Sequence, residues 1–224
     1  MSEIKENKID PYENLKKICD AACHDRKACV KGYKQMLESN NVGEMMATWR
    51  DNWEDLVESK YADIIRKELP AIYPELKKEM NMQDVYLNEC PESATQYAKI
   101  IITDADKPVH IYGRAKAYIL GKAEVIAHDH TQIYNYNQRE SQVTLLGYSY
   151  GYIMAGKVEA QGRSSLTCNC QATLSGAVVC SAIGGIVRAK GYREIEAYND
   201  AVIYTNMTEG ITLHDNASLL QQKE

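Results

Sequence analysis

The stretch from Val109 to Val125 has the sequence VHIYGRAKAYILGKAEV. Small or apolar residues occupy its odd positions, and its even positions are largely polar or Tyr. Alternation with a period of two is typical of β-strands that bury one face and expose the other. Gly113 and Gly121 stand within the stretch as turn residues. The sequence here therefore predicts short strands joined by tight turns.

The turn-forming residues recur at a fixed interval of eight, at Gly113, Gly121, Asp129 and Asn137. A hairpin or a sandwich has no reason to keep a constant step, whereas a coiling chain does. One step accommodates a strand of about five or six residues and a tight turn, so two steps make one flattened coil of about sixteen residues. The pattern predicts a mainly β chain whose residues 83–220 form a parallel β-solenoid (β-helix), with about eight residues per strand and turn.

Residues sixteen positions apart should stack on successive coils, about 4.8 Å from each other. The positions that meet this spacing are Tyr118 with Tyr134 and Tyr150, Tyr136 with Tyr152, Gly113 with Asp129, and Gly121 with Asn137. Ladders of like side chains add favourable contacts between coils without a wide interior. We therefore expect a Tyr ladder on the outer face of the solenoid.

After Gly147 the register shifts, but the rhythm of turn residues continues. These residues are Gly156, Gly162, Asn169, Gly176, Gly184, Gly191 and Asn199, and short strands are expected between them. In residues 166–174 the apolar positions change from odd to even. Asn135 and Arg139 stand at inward positions and predict a bulge or a loop there.

Residues 1–82 have the spacing of amphipathic helices, which predicts a helical N-terminal cap domain; residues 221–224 form a polar tail. Ser39-Asn40-Asn41 followed by Glu44 predicts a helix end and a new N-cap. Leu69-Pro70 and Tyr73-Pro74 predict interruptions of the next helical stretch. The expected apolar helix faces are Trp49, Trp53, Leu56, Tyr61, Ile64 and Ile65.

Composition restricts the class of function. The formal net charge is −5 without a basic stripe, which disfavours nucleic-acid binding. No apolar run approaches the roughly 18 to 20 residues that a membrane span requires. Seven cysteines without an export signal indicate reduced thiols and, unless a signal peptide has been removed, a cytoplasmic protein. The chain has 16 Tyr and no Phe, so its aromatic rings, two Trp apart, carry hydroxyls that need water or a partner.

Two C-terminal segments carry a family resemblance: Ala197-Tyr198-Asn199-Asp200-Ala201-Val202 and His214-Asp215-Asn216-Ala217-Ser218-Leu219. They resemble the Ala-Tyr-Gly/Asp-Asn-Ala-Thr-Val octads of uncharacterised small proteins from Bacteroidales genomes, their prophages and phages. The stretch Cys29–Leu37, with Trp49 and Trp53, is similar to the N-terminal segment of those proteins. The resemblance covers most of the chain and implies a short helical region followed by solenoid repeats. It implies no activity.

Two sets of cysteines could suggest chemistry. The first set is Cys19, Cys23 and Cys29, with His24 nearby. Its spacing does not match a zinc knuckle, so we expect core or half-buried thiols. The second set is Cys168, Cys170 and Cys180, which fall on an inward strand face. These residues predict small core side chains and not nucleophiles.

His128-Asp129-His130 places two imidazoles on one outward face at a strand end, with Tyr112 expected one coil beneath His128. Because no third ligand or nucleophile stands nearby in the sequence, a solvated turn is the favoured interpretation.

An enzymatic alternative comes from analogy with solenoid polysaccharide lyases, which gather carboxylates and a basic residue on one outer sheet. The residues that could form such a group are Asp104, Asp106, Lys107, Arg114 and Lys116. We expect a first coil and an exposed turn there. The sequence therefore leads us to assign no catalytic residue, no metal and no cofactor, and to keep a polysaccharide lyase or hydrolase as the less favoured function.

The outward Tyr ladder is the best candidate for a working surface, because Tyr combines apolar area, low ordering entropy and a polar tip. The expected binding residues are Tyr118, Tyr134, Tyr136, Tyr150, Tyr152, His128 and His130. The first hypothesis is a non-catalytic interaction module, of a kind that phages or mobile elements could encode, which binds a protein, a glycan or a small ligand. A ladder that only stiffens the sheet is the structural alternative.

A second hypothesis is a self-assembling scaffold resembling bactofilins, in which solenoids join end to end. The helices are expected to cover the first coil, whereas residues 215–224 offer little cover for the last one. A closed homodimer joined through the C-terminal coil is the third outcome that we expect.

Overall fold

The computed structural model describes residues 10–23, 30–52 and 61–221. The chain divides into two compact units, residues 1–85 and residues 86–224. Some residues named above, His24, Cys29, Trp53 and Leu56, lie outside the described part. The helices of the first unit are α1 (Pro11–Cys23), α2 (Val30–Glu38), α3 (Val42–Asp51) and α4 (Tyr61–Met82). None of these four described helices carries enough apolar sequence for a transmembrane span.

A capping box begins α3, as the sequence predicts. The side chain of Asn41 accepts a hydrogen bond from the Glu44 backbone nitrogen at 2.9 Å. The Glu44 carboxylate accepts in return from the Asn40 backbone nitrogen at 2.8 Å, and this bond lowers the pKa of Glu44. The buried face of α3 includes Trp49, whose indole nitrogen lies 3.1 Å from the sulfur of Met36.

The predicted interruptions at Pro70 and Pro74 are wrong, because α4 continues through both prolines. Each proline removes one helical hydrogen bond, and the loss is tolerated where water can reach the freed carbonyl. Both prolines lie on the exposed side of α4. The opposite side is held in place by buried apolar residues: Ile65, Leu69, Tyr73, Leu76 and Met80.

The second unit is a parallel β-solenoid, as predicted. Its strands are β1 (Val85–Leu87), β2 (Lys99–Ile102), β3 (Val109–Ile111), β4 (Lys116–Ile119), β5 (Glu124–Ala127), β6 (Gln132–Asn135), β7 (Gln142–Leu145), β8 (Tyr150–Ile153), β9 (Lys157–Gly162), β10 (Ser165–Gly176), β11 (Val179–Ala189), β12 (Glu194–Ala197), β13 (Val202–Tyr204), β14 (Ile211–Leu213) and β15 (Ser218–Leu220). Most strands pair with the second strand after them, so the solenoid consists of two parallel sheets. The first sheet contains β1, β2, β4, β6, β8, β12 and β14; the second contains β3, β5, β7, β9, β13 and β15.

The long strands β10 and β11 belong to both sheets. Residues 165–168 of β10 pair with β8 in the first sheet, and residues 171–176 pair with β9 in the second. The expectation of separate short strands is therefore wrong at Asn169 and Gly184. The backbone stays extended through this corner. The pairing of β10 with β11 shifts by one residue after Cys168, and an extra residue of this kind bends a strand, as in a β-bulge.

The step between coils is variable. Lys116 pairs with Gln132, 16 positions later, as the sequence pattern predicts. Gln132 pairs with Tyr150, a step of 18, and Tyr150 pairs with Ser165, a step of 15. The coils differ in the lengths of their turns. The turn lengths therefore determine which residues pair in every later coil.

The longest step follows Asn135, where the sequence predicts a loop. Asn135 is buried, and its amide nitrogen donates to the carbonyl oxygens of Gln138 at 3.0 Å and Ala155 at 2.8 Å. Its amide oxygen accepts from the Gln138 backbone nitrogen at 2.8 Å. An inward Asn is stable here because the loop satisfies its polar atoms. Arg139 is exposed in the same loop.

Small apolar residues fill the narrow interior, with alternate positions buried as predicted. Within β10, Leu166, Cys168, Ala172 and Leu174 are at most 2 % exposed. One corner of the coil is built from residues with positive φ: Gly113, Asp129, Gly147, Gly162 and Gly176. Gly176 is required there, because a Cβ atom would lie 2.9 Å from the Gly162 carbonyl oxygen at a φ of +99°.

A column of hydroxyl side chains is buried along that corner. Thr131, Ser149 and Ser164 are fully buried, and their side-chain oxygens have no hydrogen-bond partner among the described residues. A buried hydroxyl without a partner costs about 1 to 3 kcal/mol of desolvation. These buried hydroxyls therefore lower the stability of the folded protein.

Replacing Ser164→Ala is expected to raise the free energy of unfolding by about 1 kcal/mol, because it removes an unpaired buried hydroxyl. Ser165→Ala is the matched control, since the neighbouring Ser165 is exposed on the outer face and its loss should change stability by less than about 0.5 kcal/mol. Urea unfolding measures both. A loss of stability in Ser164→Ala would show that its hydroxyl is hydrogen-bonded.

Candidate functional site

The outer face of the first sheet carries a cluster of partly exposed tyrosines, which we call the tyrosine patch: Tyr134, Tyr136, Tyr150 and Tyr152. Tyr134 lies in β6, Tyr136 directly follows that strand, and Tyr150 and Tyr152 lie in β8, the neighbour of β6 in the sheet. The rings of Tyr134 and Tyr150 meet edge to face at 6.3 Å between centroids, and those of Tyr136 and Tyr152 lie 5.6 Å apart at a tilt. The patch is a continuous aromatic surface over two coils.

The predicted ladder of Tyr118, Tyr134 and Tyr150 is correct for its first step and wrong for its second. Tyr118 pairs with Tyr134, and their rings stack at 5.0 Å. Tyr134 then pairs with Tyr152, while Tyr150 pairs with Gln132. The cause is the longer loop after Asn135, which shifts the register of β8 by two residues. Because side chains alternate with a period of two, a shift by two leaves the same residues of β8 facing outward.

Tyr118 does not belong to the accessible surface, which corrects its assignment as a binding residue. Its side chain is 1 % exposed. The ring of Tyr134 stacks on it from the following coil, and the ammonium of Lys99, on the preceding coil, lies 6.0 Å from its centroid. Its role in the described structure is to support Tyr134.

His128 lies at the corner beside the second sheet and has a partner that the sequence pattern did not reveal. Its Nε2 lies 3.0 Å from Nδ1 of His110, on the preceding coil. The ring centroids are 5.3 Å apart and the planes are 15° apart, so the two nitrogens lie between the ring centres and face each other. A direct N–H···N hydrogen bond of this kind occupies both nitrogens, and one ring must be a neutral acceptor.

Tyr112 stacks on His128 at 4.8 Å, which confirms the expected neighbour one coil away. Within the described residues, no three His, Cys, Asp or Glu side chains converge in a way that could hold a metal ion. His128 is thus hydrogen-bonded edge to edge with His110 and stacked on Tyr112 at this corner.

His130 is exposed at the same corner and stacks on Tyr148 at 5.2 Å. Tyr148 is 54 % exposed, and Arg163 of the next coil donates to its hydroxyl at 3.2 Å. Tyr148 was absent from the predicted binding residues, although its position two residues before Tyr150 places it in the same outward alternation. It extends the aromatic surface from the tyrosine patch to the corner.

A row of short outward side chains lies between the tyrosine patch and two glutamates on the first sheet; we call the strip between these longer side chains the Tyr–Glu groove. Tyr150 and Tyr152 form one wall, and the next two coils supply its floor. The floor consists of short side chains at the paired positions: Ser165, Thr167, Val179 and Ser181. The sequence could not reveal this groove because three successive steps of 15, 14 and 15 residues, and not 16, place these residues in line.

The opposite wall of the groove is acidic. Glu194 pairs with Val179, and Glu196 pairs with Ser181, so both carboxylates stand on the coil beyond the floor. The hydroxyl of Tyr198 donates to Oε2 of Glu196 at 2.7 Å, and this hydrogen bond raises the pKa of Tyr198. Among the described residues, neither glutamate forms an ion pair.

The residues that could have formed a polysaccharide-cleaving group do not share one site. Asp104, Asp106 and Lys107 lie in the turn between β2 and β3, where Asp104 accepts from the Lys122 backbone nitrogen at 2.8 Å. Arg114 lies in the turn between β3 and β4. Lys116 begins β4. The two turns form opposite corners of the flattened coil, so Arg114 and Lys116 are separated from Asp104, Asp106 and Lys107.

Two concavities in the described part of the chain lie elsewhere. A cleft of about 580 Å³ in the helical unit is lined by Tyr12, Asn41, Glu75, Leu76, Glu79 and Met82, among others. A smaller polar depression of about 200 Å³ on the second sheet is lined by Gln142, Thr144, Lys157, Glu159, Gln171 and Thr173, together with inward valines. Neither includes a residue from the predicted binding surface.

Cys168, Cys170 and Cys180 are buried, as the sequence predicts. The side-chain hydrogen bond with Cys168, together with burial, raises the pKa of the Cys170 thiol strongly. Burial also raises the pKa of the half-buried Cys90, which accepts a hydrogen bond from the Tyr112 backbone nitrogen at 3.4 Å. Thiolates are the reactive form of cysteine, so this environment disfavours a nucleophilic role.

The stability of the protein is expected to fall as the pH rises above about 8.5, where the thiols of an unfolded chain ionise. The folded state keeps Cys170 protonated and so binds more protons than the unfolded state, which lowers the free energy of unfolding by about 1 kcal/mol per pH unit for that thiol. Urea titrations at pH 7.5 and 9.5 should show a smaller loss in Cys170→Ala than in the original chain. An equal loss in both would contradict this assignment.

Comparisons of this chain with protein-family models, with curated proteins and with solved structures find no match.

Proposed function

We propose that this protein is a non-catalytic binding module whose working surface is the tyrosine patch on the first sheet. The observation that supports the proposal is the contiguous aromatic surface of Tyr134, Tyr136, Tyr150 and Tyr152, partly open to solvent and held by ring contacts between coils. Tyrosine is enriched in recognition surfaces because it offers a large amphipathic contact area with few rotatable bonds.

The rigidity of the support favours recognition over a purely structural ladder. Tyr134 rests on the buried ring of Tyr118, and its hydroxyl donates to Oε1 of Gln132 at 2.9 Å. A side chain that is already ordered loses little entropy when a ligand arrives. The tyrosine patch is thus arranged in advance for contact with a protein, a glycan or a small ligand.

Tyr152→Ala is expected to abolish capture of the partner while it reduces the free energy of unfolding by about 1 kcal/mol or less, since the ring is partly exposed. Tyr204→Ala is the matched control, because Tyr204 is also a half-exposed outward tyrosine, on the second sheet. Quantitative affinity capture from a host lysate and a glycan panel measure binding, and thermal unfolding measures stability. Capture that survives in Tyr152→Ala, or is lost equally in Tyr204→Ala, rejects the proposal.

A second candidate function is assembly through the last coil, and its exposed edges favour this candidate. Within the described residues, β14 pairs only with β12, and β15 pairs only with β13. Leu213 is 41 % exposed, although Ala197, one coil earlier in the same column, is fully buried. Unpaired strand edges and exposed core positions favour pairing with another strand.

Self-assembly predicts a mass above the 25.3 kDa of one chain that rises with concentration for a filament and stays at twice that value for a closed homodimer. Leu213→Lys should shift either assembly toward the single chain. Ile186→Lys is the control, because Ile186 is 40 % exposed on the outer face, away from the last coil. Sedimentation equilibrium distinguishes these results, and a constant single-chain mass in the original protein would exclude assembly.

A further inference from the structure

The Tyr–Glu groove has the width of one extended chain. Its walls stand on β8 and β12, which are three strand spacings apart, or about 14 Å between backbones. The two strands between them carry short outward side chains, and Ser165 is exposed on the floor. A single extended segment with its side chains is about 10 Å across. It can therefore lie along the groove, parallel to the strands.

The two walls differ in chemistry. Tyr150 and Tyr152 present aromatic rings on one side, whereas Glu194 and Glu196 present carboxylates on the other. A ligand between them is recognised best if one edge is apolar and the other is cationic. The cation Arg163 lies at the corner end of the groove, where it is held on the ring of Tyr148 at 5.9 Å. Glu196 accepts one hydrogen bond, from Tyr198 to its Oε2, which leaves its other carboxylate oxygen for a ligand.

The spacing of the carboxylates matches the repeat of an extended peptide. Glu194 and Glu196 are two residues apart on one strand, so their side chains share a face and are about 6.6 Å apart along it. Every second side chain of an extended peptide has the same repeat. Lysines at positions i and i+2 would meet the two glutamates in register, and the residues between them would turn toward Tyr150 and Tyr152.

We propose that the Tyr–Glu groove binds an extended peptide segment in which basic residues alternate with apolar ones. This inference rests on the proposed function, because it names the ligand class of a site that includes Tyr150 and Tyr152. A neutral glycan could stack on the tyrosines and donate hydroxyl hydrogen bonds to the glutamates, but it carries no positive charge to balance the two carboxylates. A nucleic acid would be repelled by them.

The test uses a fluorescein-labelled peptide of three Lys-Val repeats, with a control peptide of three Lys followed by three Val. Fluorescence anisotropy with the full chain should show saturable binding that is stronger for the alternating peptide. Glu194→Gln and Glu196→Gln should each weaken it by about fivefold, the effect of one exposed ion pair of about 1 kcal/mol. Glu159→Gln should leave it unchanged, since Glu159 is an exposed outward glutamate of the second sheet.

Absence of saturable binding overturns the inference, as does equal affinity for the two peptides, which indicates general charge attraction. Equal weakening by Glu159→Gln has the same meaning. If the alternating peptide fails while Tyr152→Ala still abolishes capture of another partner, the ligand class is wrong and the tyrosine patch remains the binding surface. If Tyr152→Ala changes the binding of neither peptide nor partner, the proposed function fails as well.

Discussion

Parallel hydrogen bonding between successive coils is the constraint on which the rest of this structure depends. Each strand takes its register from the strand one coil earlier, so a side chain on the surface has neighbours that are about 15 residues away in sequence. Alternation buries every second residue, and the narrow interior accepts only small side chains. Backbone register therefore determines both the core and the arrangement of the outer surface.

Turn length converts that register into a binding surface. The loop after Asn135 lengthens one coil and places Tyr152, not Tyr150, over Tyr134. The shorter coils that follow bring Thr167 and Ser181 into line between Tyr152 and Glu196. A groove with an aromatic and an acidic wall results from strands whose individual sequences show no such motif. In solenoids of this kind, changes in turn length are a direct route to new surfaces.

Much of the fold follows from the sequence, because two-residue alternation and a regular recurrence of turn residues are local signals. They predicted the parallel solenoid, the small interior residues and the loop at Asn135. The prolines of α4 were misjudged because tertiary packing of the opposite helix face outweighs two lost hydrogen bonds. Tyr118 was misassigned because its burial depends on neighbouring coils and not on its own strand. The Tyr–Glu groove and the bond between His110 and His128 were missed because coils of unequal length decide which residues become neighbours.

The register of β8 is the most direct test of this structure, and nuclear Overhauser contacts between backbone protons of neighbouring strands measure it. The parallel pairing predicts contacts that place Tyr152 between Tyr134 on one side and Thr167 on the other. Contacts that place Tyr150 beside Tyr134, or that have the pattern of antiparallel neighbours, would contradict the register and with it the Tyr–Glu groove.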